Sequence, residues 1–166
     1  IFDISNQVSK TIKVIKKNKS IKYFTIHALG SSEMLSAAKE AAHGSDLEFL
    51  AVSILTSWNE KDLKKIGITN SVKNQVKILI KLAQEAKLSG IIASAQDISL
   101  VREISKDMKI FCPGIRGDGS KQDQKRTLSY KDFNSVADDK CFAVIGRPIY
   151  EGDPLENIKK IIKTSE

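Results

Sequence analysis

The stretch FCPGIRGDGSKQDQKR, residues 111–126, joins two kinds of sequence whose junction decides the fold. Its first half, Phe111 to Arg116, reads as a short apolar strand that ends in a turn, with an arginine just past the end. Its second half is a polar run carrying Gly117, Gly119 and Gln124. Further on, FAVIGRPIY (142–150) repeats the form: an apolar strand, a glycine, then Arg147. The chain has four arginines, and Arg116, Arg126 and Arg147 all fall in this one neighbourhood.

Working outward, the same alternation runs through the whole chain. Apolar runs rich in β-branched or aromatic residues occur at 23–28 (YFTIHA), 49–55 (FLAVSIL), 90–93 (GIIA), 109–112 and 141–145 (CFAVI). Between them lie amphipathic stretches with helical spacing. Val8, Ile12 and Ile15 mark one, and Met34, Ala38 and Ala41 another. Val72, Val76, Leu79 and Ala83 mark a third, and Leu155, Ile158, Ile161 and Ile162 a last. Strands that are apolar nearly throughout, alternating with helices, predict parallel strands covered by helices.

An open doubly wound sheet and a closed (β/α)8 TIM barrel both satisfy that pattern. The polar residues favour the barrel. His27, Thr56-Ser57, Ser94, Arg116 and Arg147 all fall at or just past strand ends, and a barrel gathers such ends around one mouth. A complete barrel needs about 250 residues, so the expectation is an incomplete one. It would have about five full βα units and a strand stub at Ile1-Phe2, forming a single domain over 1–166. The free edges would be strands 23–28 and 141–145. Ile1 is not an initiating Met, and the expectation is that the gene begins upstream.

Composition excludes several alternatives. Of the residues, 41% are hydrophobic and 28% charged, the balance of a folded soluble domain. No apolar run approaches the roughly 18–20 residues of a membrane span, and the start lacks the order of a signal peptide. The net charge of +7 comes mainly from lysines spread along helical faces. With no accompanying recognition motif, it predicts solvated surface rather than a nucleic-acid interface. Cys112 and Cys141, isolated in apolar runs, are expected to be reduced core residues in a cytoplasmic protein. No cluster has metal-ligand spacing, so no metal is expected.

Gly146 and Arg147 end the last strand, and in barrels the loops after the last two strands commonly bind phosphate. A surface arginine in a turn before Pro148 is the alternative. A polar loop as long as 113–126 is more often a functional lid than a connector. Gln124 would offer it an amide that both donates and accepts.

The chain resembles the bacterial branch of the orotidine 5′-phosphate decarboxylases. The matching segments are DISN (3–6), TIHALG (25–30), LAVSILTS (50–57), SAQD (94–97), PGIRGDGSKQDQKR (113–126) and VIGRPI (144–149). The match runs along all 166 residues but covers only about the last two-thirds of the family's chain. The resemblance implies cofactor-free conversion of orotidine 5′-phosphate to UMP and CO2, in pyrimidine biosynthesis, by a homodimer. Arg147 and the Gly146 N–H would hold the 5′-phosphate. Gln124 would reach phosphate and pyrimidine, with Arg116 at the root of its loop. Thr56 and Ser57 would line the pyrimidine pocket. Asp3 and Asn6 match the end of the family's Asp-x-Lys-x-x-Asp-Ile-Pro-Asn-Thr motif, and Asp3 would reach into a partner's active site.

Ser5 and Gln7 depart from that motif, and its lysine would lie one position before Ile1. The 166 residues as given are therefore not expected to decarboxylate orotidine 5′-phosphate. Read alone, Asp3 is equally an N-cap for the following helix. Two alternatives stay open: a non-catalytic phosphate-binding remnant, or a sugar-phosphate decarboxylase or aldolase on the same barrel. His27, Trp58, Met34 and Met108 are expected to serve packing.

Overall fold

A computed structural model describes residues 1–117 and 125–165. Helix α1 (Ser5–Ile15) is followed by strand β1 (Tyr23–His27), α2 (Ser31–Ala41) and β2 (Glu48–Val52). Then come α3 (Glu60–Lys65), α4 (Val72–Glu85), β3 (Gly90–Ile92), α5 (Ile98–Ile104) and β4 (Lys109–Pro113). Two-residue strands β5 (Ile115–Arg116) and β6 (Leu128–Ser129) flank the polar loop. The chain continues through α6 (Tyr130–Val136), β7 (Cys141–Val144), the single turn α7 (Arg147–Tyr150) and α8 (Pro154–Ser165).

The main sheet has the order β1-β2-β3-β4-β7, with every pair parallel. Strand order that follows chain order is that of a barrel wall; a doubly wound sheet reverses its order at a switch point. The expected edges are the observed ones. Beside β1, the Ile1 nitrogen donates to the Thr25 carbonyl (2.9 Å) and the His27 N–H to the Ile1 carbonyl (3.0 Å), so the first residue lies along this edge as a strand stub. The other edge, β7, leaves Phe142 and Val144 exposed.

Alternation gives the sheet two different faces. Phe49, Ala51, Ile91, Ile110 and Cys112 lie on the helix-covered face and are fully buried. The inner face carries Tyr23, Glu48, Lys109, Phe111 and Phe142. There the Phe111 ring sits 5.2 Å from Tyr23 and 4.7 Å from Phe142. Gly90 belongs to this face because a Cβ would lie 2.6 Å from the Lys109 carbonyl oxygen and 2.7 Å from Leu50 Cδ2. The helices answer their apolar spacing: α1 buries Val8 and Ile12 and packs on α2, which buries Met34, Leu35, Ala38 and Ala41.

Three expectations need correction. The strand expected over 49–55 stops at Val52, and Ser53 just beyond it donates both its backbone N–H (3.1 Å) and its Oγ (2.8 Å) to the Ile92 carbonyl. Cys112 is buried, but Cys141 is not in the core. On the edge strand its thiol donates to Asp138 (3.2 Å) and contacts the Arg102 guanidinium. The 113–126 segment is more than a plain loop, since β5 and β6 pair across it, Ile115 with Leu128 and Arg116 with Ser129.

Candidate functional site

Parallel strands point their C-terminal ends to one side of the sheet. His27 therefore ends β1 at that side, and Thr56-Ser57, Ser94, Arg116 and Gly146-Arg147 come after β2, β3, β4 and β7. At its centre is a cavity of about 280 Å³ lined by Val52, Ile54, Leu55, Thr56, Ser57, Ile92, Ala93 and Pro113. It spans the ends of β2, β3 and β4. Its walls are mostly apolar, with two hydroxyl side chains from the segment after β2, the make-up of a small-molecule site.

Asp3 and Asn6 line a different cavity. They share a groove with Phe2, Ile4, Ser5, Gly30, Ser31, Glu33 and Met34, between the start of α1 and the turn before α2. Asp3 does not cap α1. The N-cap is Ile4, whose backbone N–H donates to Asp3 Oδ1 (2.7 Å), leaving the carboxylate exposed. His27 is a packed residue, as expected: its Nδ1 accepts from the Leu29 N–H (3.3 Å) and its ring lies against Phe2. Burial holds its pKa below the ordinary histidine value, favouring the neutral ring.

Arg116 is buried at β5, and Arg147 begins α7 directly after Gly146. Neither lines the two cavities just described. Gln124 and Gly119 lie outside the described residues.

A group that carried no expected role stands out beside the site. Arg126 donates to Asp97 Oδ2 (2.7 Å) and to the Ile54 carbonyl (2.7 Å). The backbone N–H groups of Lys125 and Arg126 both donate to the Thr56 carbonyl (2.9 and 3.2 Å). Lys125 also pairs with Asp62 (2.6 Å), whose other role is to close the capping box of α3 with Asn59. Burial raises the Asp97 pKa above the ordinary carboxylate value, while the Arg126 charge and hydrogen bond oppose the shift. The sequence held a trace of this pair, in the SAQD segment and the clustering of arginines. Spacing alone could not show that residues 97 and 126 meet.

The comparisons with known proteins fit this geometry. The family described as orotidine 5′-phosphate decarboxylase / HUMPS matches residues 1–161. The orotidine 5′-phosphate decarboxylase of Wolbachia pipientis from Culex pipiens is 38% identical over 167 residues, covering 99% of this chain and 72% of the relative. That of Ehrlichia chaffeensis is 40% identical over 165 residues, covering 98% and 70%. The crystal structure of the Lactobacillus acidophilus orotidine 5′-phosphate decarboxylase superposes with a TM-score of 0.80 at 28% identity, covering 100% of this chain and 72% of that one. The five-stranded sheet is thus a partial (β/α)8 barrel, and the chain belongs to the orotidine 5′-phosphate decarboxylase / HUMPS family.

Proposed function

We propose that this chain serves the cofactor-free decarboxylation of orotidine 5′-phosphate to UMP and CO2, as the part of the site that grips the nucleotide. The cavity at the ends of β2–β4 carries the reading, because Thr56 and Ser57 line it and the family resemblance implies a pyrimidine-pocket role for them. In this reading Gly146 and Arg147 take the 5′-phosphate, with Arg116 and Gln124 contributing from the 113–126 segment. Decarboxylation leaves an electron pair at pyrimidine C6 with no neighbouring group to delocalise it. Fixed charges must therefore stabilise it: a carboxylate crowds the departing carboxylate, and an ammonium stabilises and then protonates the carbanion. Asp3 is the carboxylate assigned here, and the ammonium belongs to the motif position three residues before it.

The separation of Asp3 and Asn6 from Thr56 and Ser57 supports a homodimer in which one protomer's Asp3 completes its partner's site. No helix among the described residues is long and apolar enough to cross a membrane. Two free thiols support a reducing, cytoplasmic setting. The residues are proposed to form one domain over 1–166.

Calorimetry with UMP tests the reading. Wild type is expected to bind UMP, and Arg147→Ala to bind it markedly less well. A wild-type chain that prefers a sugar phosphate to UMP would transfer the site to the sugar-phosphate chemistries. Binding that is indifferent to Arg147 would move the phosphate site elsewhere.

A further inference from the structure

Residues 125–127 lie across the ends of β2 and β3. Four hydrogen bonds described above converge there: two from backbone N–H groups to the Thr56 carbonyl, and two from the Arg126 guanidinium, to Ile54 and Asp97. A fifth joins the Gln96 side-chain amide to the Thr127 carbonyl (3.3 Å). The Arg126 and Asp97 side chains are only 12% and 11% exposed. Neither lines the cavity, but Ile54 and Thr56, whose carbonyls receive these bonds, both do.

Full satisfaction does not explain this arrangement. Arg126 Nε is buried and has no acceptor among the described residues. A buried unpaired donor is uncommon and costs stability, so a guanidinium held in this pose is held for its two other contacts. A carboxylate and a backbone carbonyl, served from one rigid fork, fix the guanidinium plane, which a lysine ammonium cannot reproduce. Asp97 is itself placed by the turn after β3, where its N–H donates to the Ser94 carbonyl (2.9 Å). The pair thereby ties the end of β3 to the segment after β2 through the residue that closes the loop.

We propose that Arg126 and Asp97 are a positioning pair for the base-side wall of the nucleotide site. They hold the backbone of residues 54–57 in the conformation that presents Thr56 and Ser57 to a pyrimidine ring. This inference rests on the nucleotide-binding reading given above. It predicts that loss of the pair selectively harms recognition of the base and spares that of the phosphate.

The full chain is titrated with three probes: UMP, uridine and inorganic phosphate. Backbone amide exchange is followed in parallel. Arg126→Lys and Asp97→Asn are expected to weaken uridine and UMP binding by about tenfold each while leaving inorganic phosphate unchanged. They should also speed exchange at the Lys125 and Arg126 amides and leave the β2 and β3 amides protected. Equal losses for uridine and phosphate, or faster exchange across the whole sheet, would mean a merely structural role and overturn the proposal. So would unchanged uridine affinity. Should Asp97→Asn fail to fold, Arg126→Lys, which keeps the charge, carries the test. A wild-type chain that binds neither UMP nor uridine sinks the nucleotide reading instead. Exchange at 125 and 126 then decides whether the pair holds the 54–57 backbone at all.

Discussion

The two ends of the sheet use similar ion pairs for different work. At the N-terminal ends of the strands, Lys109 pairs with Glu48 (2.6 Å) on the inner face. Arg102 makes a two-pronged contact with Asp138 and also donates to the Ser105 and Met108 carbonyls (3.3 and 2.7 Å). No donor of Arg102 is left buried and unpaired among the described residues. At the C-terminal ends, Arg126 and Asp97 are more deeply buried, keep an unpaired Nε and border a cavity. One end has its charges paired around the structure itself. The other keeps a polar, incompletely satisfied frame around a space. In barrels the first condition marks the end that serves stability and the second the end that serves chemistry.

The largest expected effect separates recognition from catalysis at the C-terminal end. A polypeptide of residues 1–166 should bind UMP yet leave orotidine 5′-phosphate unconsumed in an ultraviolet assay. A chain that also carries upstream βα units with an in-frame Asp-x-Lys, the lysine three residues before Asp3, should turn it over through a positioned proton donor. Turnover by residues 1–166 that disappears with Arg147→Ala would show that another lysine has taken the role. Lys10 and Lys13, the nearest in sequence, are exposed along α1 and are not candidates on this geometry.

Next in size, Arg147→Ala should weaken UMP binding by about 2–3 kcal/mol, the worth of a bond to a charged group. Arg102→Ala should instead lower stability by about 1–3 kcal/mol, since it strips partners from the Met108 and Ser105 carbonyls, while UMP affinity holds. A variant that lost both properties at either position would erase the distinction between the ends.

Acid should move the two aspartates in opposite senses. Arg102 holds the Asp138 carboxyl well below the usual carboxylate range. Its contribution is present above the unfolded value and is lost as pH falls through the depressed one. Asp97 is raised by burial, so between its unfolded and folded values the native state takes up the proton more readily, and that step favours folding as pH falls. Acid unfolding curves should therefore flatten in Asp138→Asn, and proton uptake by the native protein at higher pH should vanish in Asp97→Asn. The smallest effect belongs to Lys109→Met, about 0–1 kcal/mol of stability, because this pair is half open to water.

Much of the fold was legible because it is written in repeats. Five apolar runs with helical spacing between them predicted the parallel strands, and polar residues at their ends predicted a barrel. The free edges followed from counting βα units. Short elements were less legible. In α5 only Ile98, Leu100 and Val101 are buried, too few turns for a period to emerge, and β5 and β6 exist only through each other. At the candidate site, Thr56 and Ser57 stood out in sequence as polar residues just past an apolar run, and both line the cavity at that sheet end. Arg126 and Asp97 were not legible as a pair, because their meeting depends on the path of the chain between them. Cys141 misled because an apolar run on an edge strand looks, in sequence, like one in the middle of a sheet.

The order of the sheet has a consequence for how the protein is made. In the main sheet each strand after β1 pairs with the main-sheet strand made before it, so none of them waits for a later segment before it can pair. Closing short loops costs less entropy than closing long ones, and contacts between near neighbours in sequence form fast. The nascent chain can extend its sheet one βα unit at a time, always at a single growing edge. Phe142 and Val144, exposed on β7, are the apolar residues that such an edge presents to solvent as it grows, the kind of surface that chaperones cover.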